Sequence, residues 1–266
     1  MTRLRTGGRG TEPQQGGQAI RRALTVLRIL AAGREKGVPL AEVVQATSLT
    51  RPTVHRIVHV LIEEGIVERS DKTGRYAIGR QVPELALARQ SRTPLLVAAD
   101  PFLTKASAQL GDTLFLTVRT GLDTLCVARR IGGYPIQVLS IEVGARRPLG
   151  VSSAGVAILA AMPSVDARRI VLDNEARLKA YRTNVPTVLA QIKLARYRGY
   201  NLRDVGLVQG TKSLSAWIRN PDGQPAAAIT LSAVRNRLNP RRAMEVADVL
   251  VAAARDIETA IPRELS

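Results

Sequence analysis

The sequence predicts an α+β protein in two parts, an N-terminal winged helix-turn-helix and a larger C-terminal domain on a largely antiparallel sheet. Three observations carry this. Two short helical patterns meet across about three residues around Ser48, and a strand–turn–strand pattern follows at once. Beyond Pro94, strand-like runs at 113–119, 124–131, 136–143, 214–219 and 226–234 are punctuated by Gly121, Gly132-Gly133 and Asn220-Pro221-Asp222-Gly223. The chain has 266 residues, too many for one small domain, and its 45% hydrophobic content supplies a core. With aromatics at 3%, that core must be aliphatic.

Taken in order, residues 1–17 are rich in Gly, Arg and Gln without apolar periodicity and read as a disordered tail. The winged domain is placed at 18–80. Its first helix, Gln18 to Ala32, sets Ile20, Leu24, Leu27 and Ala31 on one face and Arg21, Arg22 and Arg28 off it. After Gly37-Val38-Pro39, the helix Leu40 to Thr47 carries Leu40, Val43 and Val44. The next, within Leu49 to Gly65, organises the rest. Thr50 is placed to cap it, Pro52 sits in the first turn, and Gly65 ends it. Val54, Ile57, Val58 and Leu61 form a buried stripe, while Arg51, Thr53, His55, Arg56 and His59 share the opposite, donor-rich face. Such a face suits phosphates and base edges, although a solvated helix reads the same way in isolation. The following hairpin tilts the balance. Ile66-Val67 and Tyr76-Ala77-Ile78 flank a turn whose tip carries Arg69, Lys72 and Arg75, which makes it a wing on a DNA-binding unit.

Residues 81–93 suit a linker helix, and Pro94 and Pro101 bracket a boundary that starts the second domain at 94 and runs it to 266. Helices are expected at 95–110, 153–162, 165–173, 186–198 and 240–261. The formal charge is +17, with a balance of +7 over residues 1–80 and +10 over 81–266, so it favours polyanions or acidic ligands without locating them. Cys126 is the only cysteine, in a strand-like run, and reads as a buried small residue in a reducing compartment. Arg21-Arg22 before an apolar run only faintly resembles an export signal, no cleavage site follows, and no stretch approaches ~18 apolar residues. The location expected is cytoplasmic, with no membrane partner.

With these elements placed, the chain resembles the IclR family of bacterial transcriptional regulators over residues 18 to 262. The resemblance rests on IRRALTVLRIL, LTRPTVHRIVHVLIEEGIV, the wing SDKTGRYAIG and, more specifically, VGARRPLGVSSAGVAILA at Val143 to Ala160. It implies a GAF-like effector domain, dimers or tetramers, double-stranded operator DNA as partner, and control of catabolic genes. It also implies an effector pocket lined by Ser153, Ala154 and Gly155, faced by Ser213, Thr230 and Ser232. The residues agree: free N–H groups of a helix starting after Ser152-Ser153 attract anions, and Thr230 and Ser232 share one face of a strand. Close helix packing at Ser-Ala-Gly is the plainer alternative. Two positions depart from the family: Ser48 replaces the usual turn glycine, and Arg203 stands where some relatives that bind small carboxylates carry an acid.

Catalytic readings fare poorly. His55, His59 and Glu63 are spaced like metal ligands, but Arg56 repels a cation there. Gly150 to Gly155 nearly matches a nucleophile elbow, yet both histidines of the chain lie in the DNA-reading helix, leaving no general base. The sequence therefore points to a regulator without catalytic residues, cofactor or metal, responsive to a small organic acid, aromatic acids included. Its rivals are an architectural DNA binder with an inert dimerisation domain and an enzyme with an autoregulatory winged helix.

Overall fold

The computed structural model describes residues 15–33, 36–87, 94–204 and 208–262. The chain divides into two compact units, 1–90 and 91–266.

In the N-terminal unit, α1 (Gln15–Ala32), α2 (Leu40–Thr47) and α3 (Arg51–Glu63) precede a hairpin of β1 (Val67–Arg69) and β2 (Tyr76–Ile78), and α4 (Gln81–Leu87) follows. The hairpin is antiparallel, with Arg69 opposite Tyr76, and Val38 adds a bridge to Tyr76. Val26, Leu30, Val43, Val54, Val58 and Val67 form an aliphatic core. Two expectations are corrected at α1. It begins at Gln15, inside the stretch read as tail. Its buried face is Val26 and Leu30 with Leu27, whereas Ile20 and Leu24 are 64% and 44% exposed and Ala31 is exposed. Apolar residues occupy more than one stripe of this helix, so periodicity alone selects none of them. Packing against α2, α3 and the hairpin does. Residues 1–14 and 88–93, which held most of the expected tail and half of the expected linker helix, lie outside the described residues.

The C-terminal unit opens with α5 (Pro94–Leu110), β3 (Thr113–Thr120), β4 (Asp123–Arg130) and β5 (Arg146–Pro148). Next come α6 (Ser153–Ala160), α7 (Ser164–Asp173), the short α8 (Glu175–Leu178) and α9 (Val185–Arg198). It closes with β6 (Asn201–Arg203), β7 (Thr211–Arg219), β8 (Pro225–Val234) and α10 (Pro240–Ala260). The strands form one antiparallel sheet in the order β5-β4-β3-β8-β7-β6. Alternation sorts its side chains. Leu214, Ala216, Ile218, Ile229 and Leu231 pack under α5 and α10, while Trp217 and Ala228 join α6, α7 and α9 on the other face. Ser213, Ser215, Thr230 and Ser232 share that second face by the same period.

Three further expectations are corrected here. Pro101 lies inside α5 rather than at a boundary. The strand expected at 136–143 is irregular chain. Ile136 and Leu139 are 58% and 47% exposed, and Gln137 fastens the loop by donating through Nε2 to the carbonyls of Gly111 and Gly132 at 2.9 and 3.0 Å. Finally, the edge strands β5 and β6 were not expected, being only three residues each.

Candidate functional site

Helix α3 exposes Arg51, Pro52, His55, Arg56 and His59, leaves Thr53 half-buried, and buries Val54 and Val58 against the core. Arg51 and Arg56 hold no hydrogen bond or ion pair with any described residue. Thr50 occupies the N-cap position with extended backbone, but its side chain caps no helix N–H, which corrects the expectation; its Oγ1 lies 2.8 Å from Thr53 Oγ1 instead. The other end behaves as expected. Gly65 takes φ +66°, its N–H donates to Ile62 O and that of Ile66 to Leu61 O, both at 2.9 Å, closing the last turn. Between α2 and α3 the turn bends through Ser48 at φ +55°. His59 Nδ1 lies 3.2 Å from Glu63 Oε1, and among the described residues no three His, Cys, Asp or Glu side chains group to hold a metal ion.

The three wing cations differ. Lys72 is exposed at the tip. Arg69 lies with its guanidinium carbon 6.0 Å from the Tyr76 ring centroid, a loose cation–π approach. Arg75 donates through Nε to Gly37 O at 3.2 Å, so part of its guanidinium braces the wing against the loop before α2.

In the C-terminal unit, α6 starts in the middle of the fold, with all eight of its residues buried. Ser152 is its N-cap, its Oγ accepting from Gly155 N at 3.1 Å. Helix geometry therefore leaves the amides of Ser153 and Ala154 without an intrahelical acceptor. Gly155 serves packing rather than a ligand: a Cβ there would meet Gly150 N at 3.0 Å and Leu149 Cα at 3.4 Å. Hydroxyls form rungs across β7 and β8, Ser213 Oγ to Ser232 Oγ at 2.9 Å and Ser215 Oγ to Thr230 Oγ1 at 2.8 Å.

A narrow cavity lies here, with about 10 Å³ open to the centre of a water molecule, close to the minimum for one water. Ser152, Ser153, Ala154, Ser213 and Thr230 line it, whereas Gly155 and Ser232 do not. Sequence reasoning missed Ser140 and Ile141, from the β4–β5 loop, and treated Arg203 of β6 only as a departure from family pattern. Arg203 is half-buried and donates through Nη1 to Val151 O; burial lowers its pKa from the ordinary arginine value. Asn201, buried two residues earlier, donates through Nδ2 to Ser153 Oγ at 2.9 Å. The period-two spacing of Ser213 and Ser215 was the available signal for Ser215.

Comparisons with known proteins agree on one family. The model described as bacterial transcriptional regulator IclR C-terminal matches residues 88–259, and that described as IclR helix-turn-helix domain matches residues 19–71. The chain is 27% identical over 259 residues to the HTH-type transcriptional regulator BhcR of Paracoccus denitrificans, covering 96% of this chain and 91% of that one. It is 28% identical over 243 residues to the Pca regulon regulatory protein of Pseudomonas putida, covering 90% and 82%. A crystal structure of an IclR transcriptional regulator from Silicibacter sp. TM1040 superposes with TM-score 0.78 at 23% identity, covering 93% and 99%. That of an IclR homologue complexed with 4-hydroxybenzoate from Microbacterium hydrocarbonoxydans gives 0.71 at 23% identity, covering 92% and 99%. With both family models matched in order along most of its length, the chain belongs to the IclR family of bacterial transcriptional regulators.

Proposed function

We propose that this regulator binds operator DNA as a dimer, alone or paired into a tetramer, and changes its grip when a small organic acid enters the cavity beside α6. Residues 18–80 read DNA, 81–93 connect, and 94–266 bind effector and partner subunits. The observation that carries the reading is the pairing, on one chain, of an α3 face whose Arg51 and Arg56 have no partner among the described residues with a hydroxyl-bearing interior cavity in a second unit. Arg51 and Arg56 contact base edges, with Thr53 and His55 beside them, while Thr50, Pro52 and His59 approach the backbone. Lys72, with Arg69 and the outer part of Arg75, meets phosphates. Two α3 helices must reach major grooves ~34 Å apart, and the effector acts by preferring one arrangement of the two.

A homologue bound to 4-hydroxybenzoate supports an aromatic acid as the first trial ligand. No reaction is assigned, because the only two histidines of the chain sit on α3, and the unit that holds the cavity contains none. The protein acts in the cytoplasm, where its DNA lies. Footprinting on the DNA flanking its own gene, with and without 4-hydroxybenzoate and short-chain acids, tests the reading. A protected site of two half-sites whose occupancy responds to an acid is the expected result. Sequence-independent coating of the DNA, indifferent to every acid, would favour an architectural protein and refute it.

A further inference from the structure

We propose that the C-terminal unit stacks head to tail with a second copy of this chain, Tyr197 of one copy docking in the groove between α5 and α10 of the next. The inference goes beyond the regulator reading and needs neither DNA nor effector. Helix α9 supplies the first surface. Val188, Ile192 and Ala195 bury one side of it, which leaves Ala190, Lys193, Leu194 and Tyr197 exposed together at helical spacing. Tyr197, one of five tyrosines in a chain poor in aromatics, is 90% exposed, and Leu194 is 44% exposed. Lys193 and Arg198 are exposed beside them, and neither side chain holds a hydrogen bond or ion pair with a described residue. The third cation of the helix, Arg196, is held by Ala160 O, Met162 O and Ser164 Oγ, and α9 carries no acid.

The second surface lies across the sheet. Helices α5 and α10 cover the face opposite α9, and between them runs a groove of about 280 Å³. Its floor is apolar, from Phe102, Ala106, Val249 and Ala253. Its rim carries two acids, Asp248 and Asp256, against one cation, Lys105, and none of the three is paired with a described residue. In a chain of formal charge +17, a rim with more acid than base runs against the overall balance. The groove is just smaller than the usual site of a drug-sized ligand and suits one large side chain better than a metabolite.

Each surface lacks what the other has. A tyrosine brings a large apolar ring on only two side-chain torsions, and its hydroxyl stays at the wet rim. Lys193 and Arg198 flank the ring as the two aspartates flank the floor, so docking pairs charges that one chain leaves unpaired. The two surfaces sit on opposite faces of one sheet, so no chain can join its own and the contact is heterologous. Such a contact repeats, because every docked copy still offers a free groove or a free tyrosine.

The test uses the full chain without DNA, followed by sedimentation velocity over a concentration series. The wild-type mass should rise with concentration past that of a tetramer, and added salt should reverse the rise by screening the rim. Tyr197→Ala should weaken the association about tenfold or more, the loss expected of a central aromatic anchor. Lys193→Glu with Arg198→Glu sets acids against the acidic rim, and Asp248→Lys with Asp256→Lys sets cations against cations. Each double variant alone should stop the growth. Mixed in equal amounts they should associate again, since every contact between unlike copies then joins opposite charges. The wild-type series stands whether or not a variant folds. A wild-type mass that never passes the tetramer overturns the proposal, leaves the groove to a partner of other sequence and does not touch the regulator reading. So does growth that Tyr197→Ala leaves unchanged, or a mixture of the double variants, each with a wild-type melting curve, that stays as small as its parts. Growth lost on reversing the aspartates but kept in Tyr197→Ala would show groove meeting groove, which also overturns it.

Discussion

Replacing Ser48 by glycine should stabilise the N-terminal unit. Ser48 is one of two non-glycine residues at positive φ among the described residues, the other being Arg182. A side chain in this left-handed conformation costs roughly 1–2 kcal/mol, because Cβ crowds the following carbonyl oxygen. Nothing offsets that cost through the hydroxyl, since Ser48 is exposed and its side chain holds no hydrogen bond with a described residue. Glycine removes the strain but loses about 0.4–1 kcal/mol to the greater freedom of its unfolded chain. The difference leaves a net gain of about 0.5–1 kcal/mol, or about 2–8 °C in the midpoint of a unit this small. The assay is far-UV circular dichroism melting of the full chain. Fluorescence of Trp217, the only tryptophan and part of the C-terminal unit, supplies the internal control. Ser48→Gly should raise the early helical transition and leave the Trp217 transition in place, and Ser48→Ala, which keeps Cβ, should not raise it. A lower midpoint in Ser48→Gly, or an equal rise in Ser48→Ala, refutes the strain argument.

Other expectations concern DNA and the core. Arg51→Ala and Arg56→Ala should each weaken operator binding by ~1–3 kcal/mol where the arginine bridges a guanine, and gel shifts on base-substituted operators should show relaxed preference at that pair. Lys72→Ala should lower the slope of log K against log salt by about 0.9 with sequence preference intact, measured by fluorescence anisotropy across a salt series. Arg75→Ala should in addition destabilise the unit by ~0.5–1.5 kcal/mol in denaturant melts, since its Nε bonds the Gly37 carbonyl. Asp112 is 1% exposed between Arg237 Nε at 2.7 Å and Arg242 Nη2 at 2.9 Å; Asp112→Asn should cost ~3–5 kcal/mol in urea unfolding by leaving two half-buried cations without their anion. A loss under ~1 kcal/mol there would show that solvent already serves those arginines.

Which parts of the molecule were legible in the sequence follows from how local each determinant is. The span of α3, its buried stripe and its glycine stop depend on neighbours within a few residues, so spacing revealed them. The hydroxyl face of β8 was legible for the same reason, since strand period alone puts Thr230 and Ser232 on one side; on β7, which starts at Thr211 rather than the expected 214, Ser213 came from the family resemblance and Ser215 was missed. The face of α1 was not, because several apolar stripes compete and only the partners of Val26 and Leu30 decide. The stretch 136–143 carries strand-forming residues, but its backbone is tied by one long-range side chain, Gln137, to Gly111. Arg203 entered the cavity through β6, whose three residues pair at the sheet edge with Ser213 to Ser215, a contact no local pattern announces.

The two hydroxyl rungs carry a consequence for how this pocket changes its diet. In each pair either oxygen can be the donor. Rotating two hydroxyl hydrogens reverses a rung, so the same wall offers a ligand a donor or an acceptor while no heavy atom moves. A wall that answers to either polarity discriminates little, and leaves discrimination to the rest of the lining. Descendants of such a protein can exchange one ligand for another by changes elsewhere in the lining, while the sheet, the helix and the rungs are inherited unchanged.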